Sequence, residues 1–410
     1  MGAKPPSWPD AKRHRQLIHR HGAAFIRHLL AQLRTDQLSV AAVAEQLEIS
    51  RRRCYQLYHD YLQACARRQQ AQWAPGGSGG DHRPAWPAAA EELLRKLLSA
   101  RPPASYSFTA SEVHRRLGLK LARAQVRRWA RQNDLAVHTR PARPKAPVKR
   151  WQRQAIGELW QLDASPHPWF PGSSIQYPLL DLIDDCSRLV TGAKLYEREG
   201  LLAYFDLLPA AFTQYGLPLA LYVDCHSIFL AQQPDVLTQL GWALKFYDVS
   251  LLYAPTPQAK GKVERLHLFW QNRLPALFAA ESVNDVPQAN PWVAQLREHH
   301  NLQEKHRELA MTPHQAWTLA QQEGRCVLRP KPPCPWWPYV WSVRVSVKVA
   351  SDGTVPIGSQ RLKISVPPGT KVVRCHHPDG TYSILAEAPR KNTKPLVLLR
   401  YGPSQNTPHL

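Results

Sequence analysis

The chain has 410 residues, with 53 Lys and Arg against 31 Asp and Glu, for a formal net charge of +22. That length holds two to four domains with ample core, and that charge points to a polyanionic partner. Seven scattered cysteines without a C-x-x-C pair support neither a disulfide framework nor a zinc module, and no apolar run reaches the roughly 18 residues of a membrane span.

The N-terminus MGAKPPSWPDAKRHRQ has no apolar signal core, so a soluble cytosolic protein is expected. The charge is unevenly placed. Residues 1–150 carry 28 basic against 10 acidic side chains, residues 151–270 carry 8 against 12, and the remainder 17 against 9. Basic flanks around a carboxylate-bearing centre suit nucleic-acid-binding arms better than a general aid to solubility.

From about His19 to Gln70 the pattern is helical. Val40, Val43, Ala44 and Leu47 share a face, Glu48-Ile49 interrupts it, and Ser50 offers an N-cap to a helix holding Tyr55, Leu57, Tyr58 and Leu62. Two short helices, the second opening on Arg51, Arg52 and Arg53, form a helix-turn-helix pattern with its arginines where DNA contacts are made. Residues 1–73 are thus expected to be a DNA-binding domain, and 74–84 (APGGSGGDHRP) a flexible linker. Residues 85–137 repeat the logic. Glu91–Leu98 reads as a helix, Thr109 and Glu112 have capping-box spacing, and Val113 and Leu117 lead to a turn at Gly118. Val126 and Trp129 anchor a further helix that exposes Arg123, Arg127, Arg128 and Arg131. Two such modules on a tether gain avidity for a bipartite site. Residues 138–155, which include Lys149 and Arg150, form a basic Pro-rich linker able to lie along phosphates.

Over 156–280 the pattern becomes α/β. "LWQLDAS" is a strand, "PLLDLIDDCSRLVTGAKLY" two strands around a turn, "LLAYFDLLPAAFTQYG" a helix, "LALYVD" and "ALKFYD" strands, and "AKGKVERLHLFWQNRL" a long helix. A three-strand meander followed by alternating helices and strands matches the ribonuclease H-like architecture. Residues 281–325 read as a helical extension. Residues 326–400 are all-β: Val343, Val345, Val347 and Val349 alternate with Ser342, Arg344, Ser346 and Lys348, and three turns divide four or five strands. A small SH3-like barrel is expected there, followed by a tail at 401–410.

Three carboxylates stand out by place. Asp163 lies in the first core strand, Asp224 closes the fourth, and Glu264 sits on the final helix with 39 residues between it and Asp224. In a ribonuclease H-like sheet the first and fourth strands are neighbours and the last helix packs across their ends, so the three converge. Crowded carboxylates raise one another's pKa unless cations neutralise them, and hard oxygen donors select Mg²⁺ or Mn²⁺. Asp184 and Asp185 read as turn residues, and Asp181, Asp206 and Asp248 belong to no motif. Trp169, Trp270 and Trp317 read as packing.

Between Glu158 and Trp317 the stretches "WQLDAS", "LIDDCSRLVTGAKL", "YVDCHSIF", "PTPQAKGKVERLH" and "HRELAMTPHQAW" occur in an order that resembles the DDE transposases and integrases with a retroviral-integrase-type core, especially bacterial insertion-sequence transposases. The resemblance implies that Asp163, Asp224 and Glu264 are catalytic and hold two Mg²⁺ (or Mn²⁺) ions, with Asp163 bridging them. It implies a DNA transposase that frees 3′-hydroxyl ends and joins them to target DNA by two-metal-ion phosphoryl transfer. The partners would be double-stranded DNA, as transposon ends and target, and further copies of the chain, in the bacterial cytoplasm at the nucleoid and without a membrane. A helper ATPase is left open. Lys260, Lys262 and Arg265 would meet DNA phosphates, with Gly261 allowing close approach. Two departures stand out. Cys225-His226 occupies the place of the family's usual Asn-Gly, although Ser227 and Phe229 remain, and His226 either fills the turn or meets the scissile phosphate. His14, His19, His21 and His28 lack Cys-x-x-Cys partners, so no zinc is expected. A catalytically silent DNA-binding regulator and a ribonuclease H-like nuclease without strand transfer are the competing classes.

Overall fold

The computed structural model describes residues 14–75, 86–135, 152–224, 229, 237–254 and 261–402, and the chain divides after Trp86 into two units. In the first unit α1 (His14–Arg34) bends at Gly22, followed by α2 (Val40–Gln46) and α3 (Arg51–Ala66). Ser39 and Ser50 cap the latter two as their hydroxyls accept the backbone N–H groups of Ala42 and Arg53, each at 3.2 Å. Glu48, with φ of 51°, turns the chain between them, at the expected break. Ile26, Leu30, Val43, Leu47, Cys54 and Leu57 form the core. Tyr55 and Leu62 face solvent instead of anchoring α3, because its buried row runs Cys54, Leu57, Tyr61, Ala64.

The second unit opens with α4 (Ala88–Ser99), α5 (Tyr106–Leu117) and α6 (Arg123–Gln132). The Thr109–Glu112 capping box does not form. Ser105 caps α5 one turn earlier, accepting from Phe108 N at 3.3 Å, and Glu112 is buried beneath Arg115 and Arg116. Gly118 ends the helix in the left-handed region, φ 69°, where glycine carries no Cβ penalty.

The α/β core comprises β1 (Trp160–His167), β2 (Tyr177–Asp184), β3 (Val190–Leu195), α7 (Leu201–Tyr215), β4 (Ala220–Val223), α8 (Gln239–Phe246) and β5 (Ser250–Tyr253). The sheet order is β3-β2-β1-β4-β5, with an antiparallel meander of β1 to β3 and parallel pairing of β1, β4 and β5. The segment "ALKFYD", expected as a strand, is mostly the end of α8. A short apolar run fits either structure, and the Thr238 hydroxyl decides by accepting Gly241 N at 3.0 Å and starting a helix; the strand follows at Ser250.

Four helices follow: α9 (Gly261–Gln271), α10 (Leu274–Glu281), α11 (Val286–Gln303) and α12 (Pro313–Gln322). The α4–α6 group rests on α10 and α11, with Glu281 accepting from Lys96 at 2.8 Å and Arg116 at 2.7 Å.

After one helical turn at Trp337–Val340 come β6 (Val343–Lys348), β7 (Thr354–Ile357), β8 (Gln360–Lys363), β9 (Lys371–His376), β10 (Tyr382–Leu385) and β11 (Val397–Tyr401). These six strands, against the four or five expected, form a sheet of order β11-β10-β9-β6 and a hairpin β7-β8. Val345 is 40% exposed and Ser342 buried, so the alternation read from the sequence is broken at both. Cys375 and Leu385 join Trp336, Tyr339 and Trp341 in the hydrophobic cluster of the α/β core, while Val355, Ile357, Val372, Ile384 and Leu399 form a second one. Among the described residues no helix is long and apolar enough to cross a membrane.

Candidate active site

β1 and β4 pair in parallel with Trp160 opposite Leu221 and Gln161 opposite Tyr222. Continued two residues, that register would bring Asp163 level with Asp224, which directly follows β4, and paired residues on neighbouring strands point to one face. Both carboxylates are half-buried. On the other side of β1, Asp181 stands opposite Asp163 in β2 and is wholly buried. Burial raises the pKa of Asp181, with Asp163 adding to the rise and His267 and Trp270 opposing it. The Tyr204 hydroxyl donates to Glu199 at 2.7 Å. Its pKa is raised first by burial, then by Glu199, and further by Asp163 and Asp224, so both aspartates act on one buried ring.

Helix α9 lies along this face of β1. Gln161 Oε1 accepts from Val263 N at 3.3 Å near its start, and Gln271 Nε2 donates to Ser165 Oγ at 3.0 Å near its end. Between them Trp270 Nε1 donates to Asp181 Oδ2 at 3.0 Å, and His267 Nε2 lies 3.3 Å from Oδ1. Gln161, Asp163 and Ser165 alternate along the strand, so the face that holds α9 is the face of Asp163. Glu264 follows Val263 in the first turn of α9 and is exposed, where the helix dipole favours a carboxylate. The strand order thus puts Asp163 in β1 and Asp224 just past the end of the neighbouring β4, with both acting on Tyr204, and carries Glu264 on the helix that packs on β1. Among the described residues no group of three His, Cys, Asp or Glu is gathered closely enough to hold a metal ion.

Asp184 and Asp185 occupy the expected turn but are wholly buried. Asp184 accepts from Gly157 N at 2.9 Å, Ser187 N at 2.8 Å and Ser187 Oγ at 2.7 Å. Asp185 accepts from Arg153 N and Gln161 Nε2, each at 2.8 Å, and is ion-paired with Lys262. Lys262 therefore turns inward, and burial lowers its pKa to about 8 against the pull of Asp185. Arg265 pairs with Glu308 at 2.7 Å. A Cβ on Gly261 would meet open space, so no crowding requires glycine there. Lys149, Arg150, Cys225, His226, Ser227 and Lys260 lie outside the described residues. Sequence reading passed over Gln161, Asp181 and His267. Gln161 carried a signal, a polar side chain two residues before Asp163 in a strand otherwise apolar up to that acid, whereas Asp181 and His267 join the site only through the β1–β2 register and the packing of α9.

The basic faces divide into two kinds. Arg123, Arg127 and Arg131 recur every four residues on the exposed side of α6, with Arg128 beside them, while Val126, Trp129 and Ala130 are buried. On α3, Arg51 and Arg52 are exposed and Arg53 is half-buried, donating to Gln56 at 3.2 Å. The arginines of α5 are engaged: Arg115 and Arg116 bind Glu112, and Arg116 lies 5.1 Å over the Trp292 ring.

No family model matches the chain. Over 222 residues, 52% of the chain, it is 31% identical to a protein of Sinorhizobium fredii named as transposase y4bF, covering 47% of that protein. Over 167 residues, 39% of the chain, it is 32% identical to the transposase for insertion sequence IS1202 of Streptococcus pneumoniae, covering 35% of it. The chain spans about half or less of the length of these curated relatives. Among solved structures, the HTLV-2 integrase catalytic core domain in complex with magnesium aligns with a TM-score of 0.33 and 17% identity, over 40% of this chain and 97% of that one. The simian T-cell lymphotropic virus intasome in complex with PP2A regulatory subunit B56 gamma aligns with a TM-score of 0.37 and 14% identity, over 70% and 95%.

Proposed function

We propose that this chain is a transposase of the DDE transposase/integrase family, as its similarity to transposases supports, and that it binds the ends of a mobile DNA element, cleaves them to free 3′-hydroxyls and joins them to target DNA. The observation that supports the reading is the β1–β4 register, which if continued past Gln161 and Tyr222 would bring Asp163 level with Asp224 on the face where α9, the helix of Glu264, packs. The donor set is hard oxygen, and two half-buried carboxylates backed by a third at Asp181 are a place where cations relieve repulsion. Asp163, Asp224 and Glu264 would hold Mg²⁺ or Mn²⁺, two ions per site. When bound, the ions supply Lewis-acid stabilisation to the attacking and leaving oxygens of a phosphodiester.

The rest of the reading concerns this chain's own groups. Asp163 is held within β1, Asp224 directly follows β4, and Glu264 is carried by α9. The α2–α3 and α5–α6 pairs fit helix-turn-helix modules whose exposed arginines hold duplex phosphates, and the C-terminal strands fit a small SH3-like barrel. Pairing two DNA ends calls for more than one copy of the chain, acting on DNA in the bacterial cytoplasm.

The test combines the protein, Mg²⁺, a labelled terminal-repeat duplex and a target plasmid. Joined product that is lost in Asp163→Ala, Asp224→Ala and Glu264→Ala supports the reading. Metal-independent binding without product assigns the chain to the regulators, and cutting without joining assigns it to the nucleases.

A further inference from the structure

Gln161 is 1% exposed and uses both ends of its amide: Nε2 donates to Asp185 Oδ1 at 2.8 Å, and Oε1 accepts from Val263 N at 3.3 Å. That N–H belongs to the first turn of α9, where a helix has no acceptor of its own to offer. Asp185, wholly buried, also accepts from Arg153 N at 2.8 Å and holds Lys262 by an ion pair. Two consecutive residues of α9, Lys262 and Val263, are therefore tied to one buried carboxylate–amide pair, and Glu264 is the next residue. At the other end of the chain of bonds, Gln161 is two residues before Asp163 on the same face of β1. Apolar side chains of similar volume would fill this space as well or better, since burying a charge pair costs desolvation. What apolar side chains would not supply is a fixed register between helix and strand.

We propose that Gln161 and Asp185 are positioning residues that lock the first turn of α9 to β1 and so set the placement of Glu264 relative to Asp163. This rests on the reading of the two acids as metal-binding groups. Neither residue touches the reacting atoms; each acts through α9.

The experiment uses the full chain, with Gln161→Met, which keeps volume and removes both hydrogen bonds, and Lys262→Met, which breaks the ion pair at a less buried position. Hydrogen exchange is followed at α9 without metal, and Mn²⁺ alone is titrated by calorimetry. In both variants the proposal expects retained circular dichroism, exchange in the first turn of α9 faster by about tenfold, and Mn²⁺ bound about tenfold more weakly, the scale of loss when supporting groups are removed. End cleavage then falls in kcat with an unchanged KM for DNA. Wild-type exchange and wild-type Mn²⁺ affinity in these variants overturn the proposal. If Gln161→Met does not fold, Lys262→Met alone decides by the same two readouts. Mn²⁺ affinity unchanged by Asp163→Ala overturns the metal-site reading instead, and the exchange experiment distinguishes the two failures because it needs no metal.

Discussion

Asn301 gives its whole side-chain amide to the backbone of Val190: Oδ1 accepts the N–H and Nδ2 donates to the carbonyl, both at 3.0 Å. Asn290 does the same for Leu195, at 2.8 and 3.1 Å. The spacings explain why both fit. Eleven residues of helix rise about 16 Å, and the five steps from Val190 to Leu195 span about the same in an extended strand. Helix α11 thereby covers the outer edge of β3, where open backbone groups would otherwise invite another strand.

Replacing Asn301 by Leu should remove about 2–5 kcal/mol of stability, because a buried N–H and a buried carbonyl lose their partners together. Urea denaturation measures this. A loss under 1 kcal/mol would mean that the helix is held by packing alone.

Asp163→Asn should abolish end cleavage while leaving thermal stability in a chelator equal to or above that of the wild type. Asp163 faces the buried Asp181 across the β1–β2 pair and raises its pKa, and removing one charge relieves the crowd. A clear drop in melting temperature would contradict this account of the site.

Stability should fall in acid in two stages. Burial lowers the His306 pKa to about 4 from an ordinary 6.5, so the unfolded chain takes up a proton first and stability declines as pH falls from 6.5 toward 4. For Glu304, burial raises the pKa, but His300 and Arg273 outweigh it and bring it to about 2 from 4.5. Its contribution is full above 4.5 and is lost as pH falls toward 2. Glu304→Gln should flatten the lower stage and spare the upper, as read by denaturation midpoints across pH. Because Glu304 also accepts from Ser111 of α5 at 3.3 Å, the lower stage should include loosening of α4–α6.

On DNA, Arg127→Ala and Arg131→Ala should each reduce the slope of log affinity against log salt by about 1, since each exposed guanidinium neutralises about one phosphate. Arg116→Ala should instead lower stability, because Arg116 is bound to Glu112 and Glu281. Equal slopes in all three variants would remove α6 from the interface.

Local rules were readable wherever one residue type has one job. Ser50 caps α3, Gly118 closes α5, and the apolar runs of β1, β2 and β4 are the central strands. The neighbour relation of β1 and β4 was readable too, because a meander followed by crossovers permits few strand orders. What escaped were roles set by partners distant in sequence. Asp185 has the composition of a solvent turn and becomes a buried anchor because Arg153, Gln161 and Lys262, the last 77 residues away, all meet it. Lys262 accordingly read as a phosphate contact. Thr109 and Glu112 have the spacing of a cap, but Ser105 wins the helix start and Glu112 is claimed by two arginines.

The tryptophans of the tail bear on how this chain can be cut into pieces. Trp341 stacks on Tyr247 with ring centroids 5.9 Å apart and meets Phe212 at 5.7 Å, while Arg344 lies 4.1 Å over Trp242. Those partners sit on or beside α7 and α8, which cover the central sheet. A fragment ending before Trp336 would lose one wall of its own core and expose large aromatic surfaces, so its failure would say nothing about the tail's task. Separating the two demands substitutions on outward-facing strand residues, such as Val345 and Lys348, that leave the aromatic wall standing.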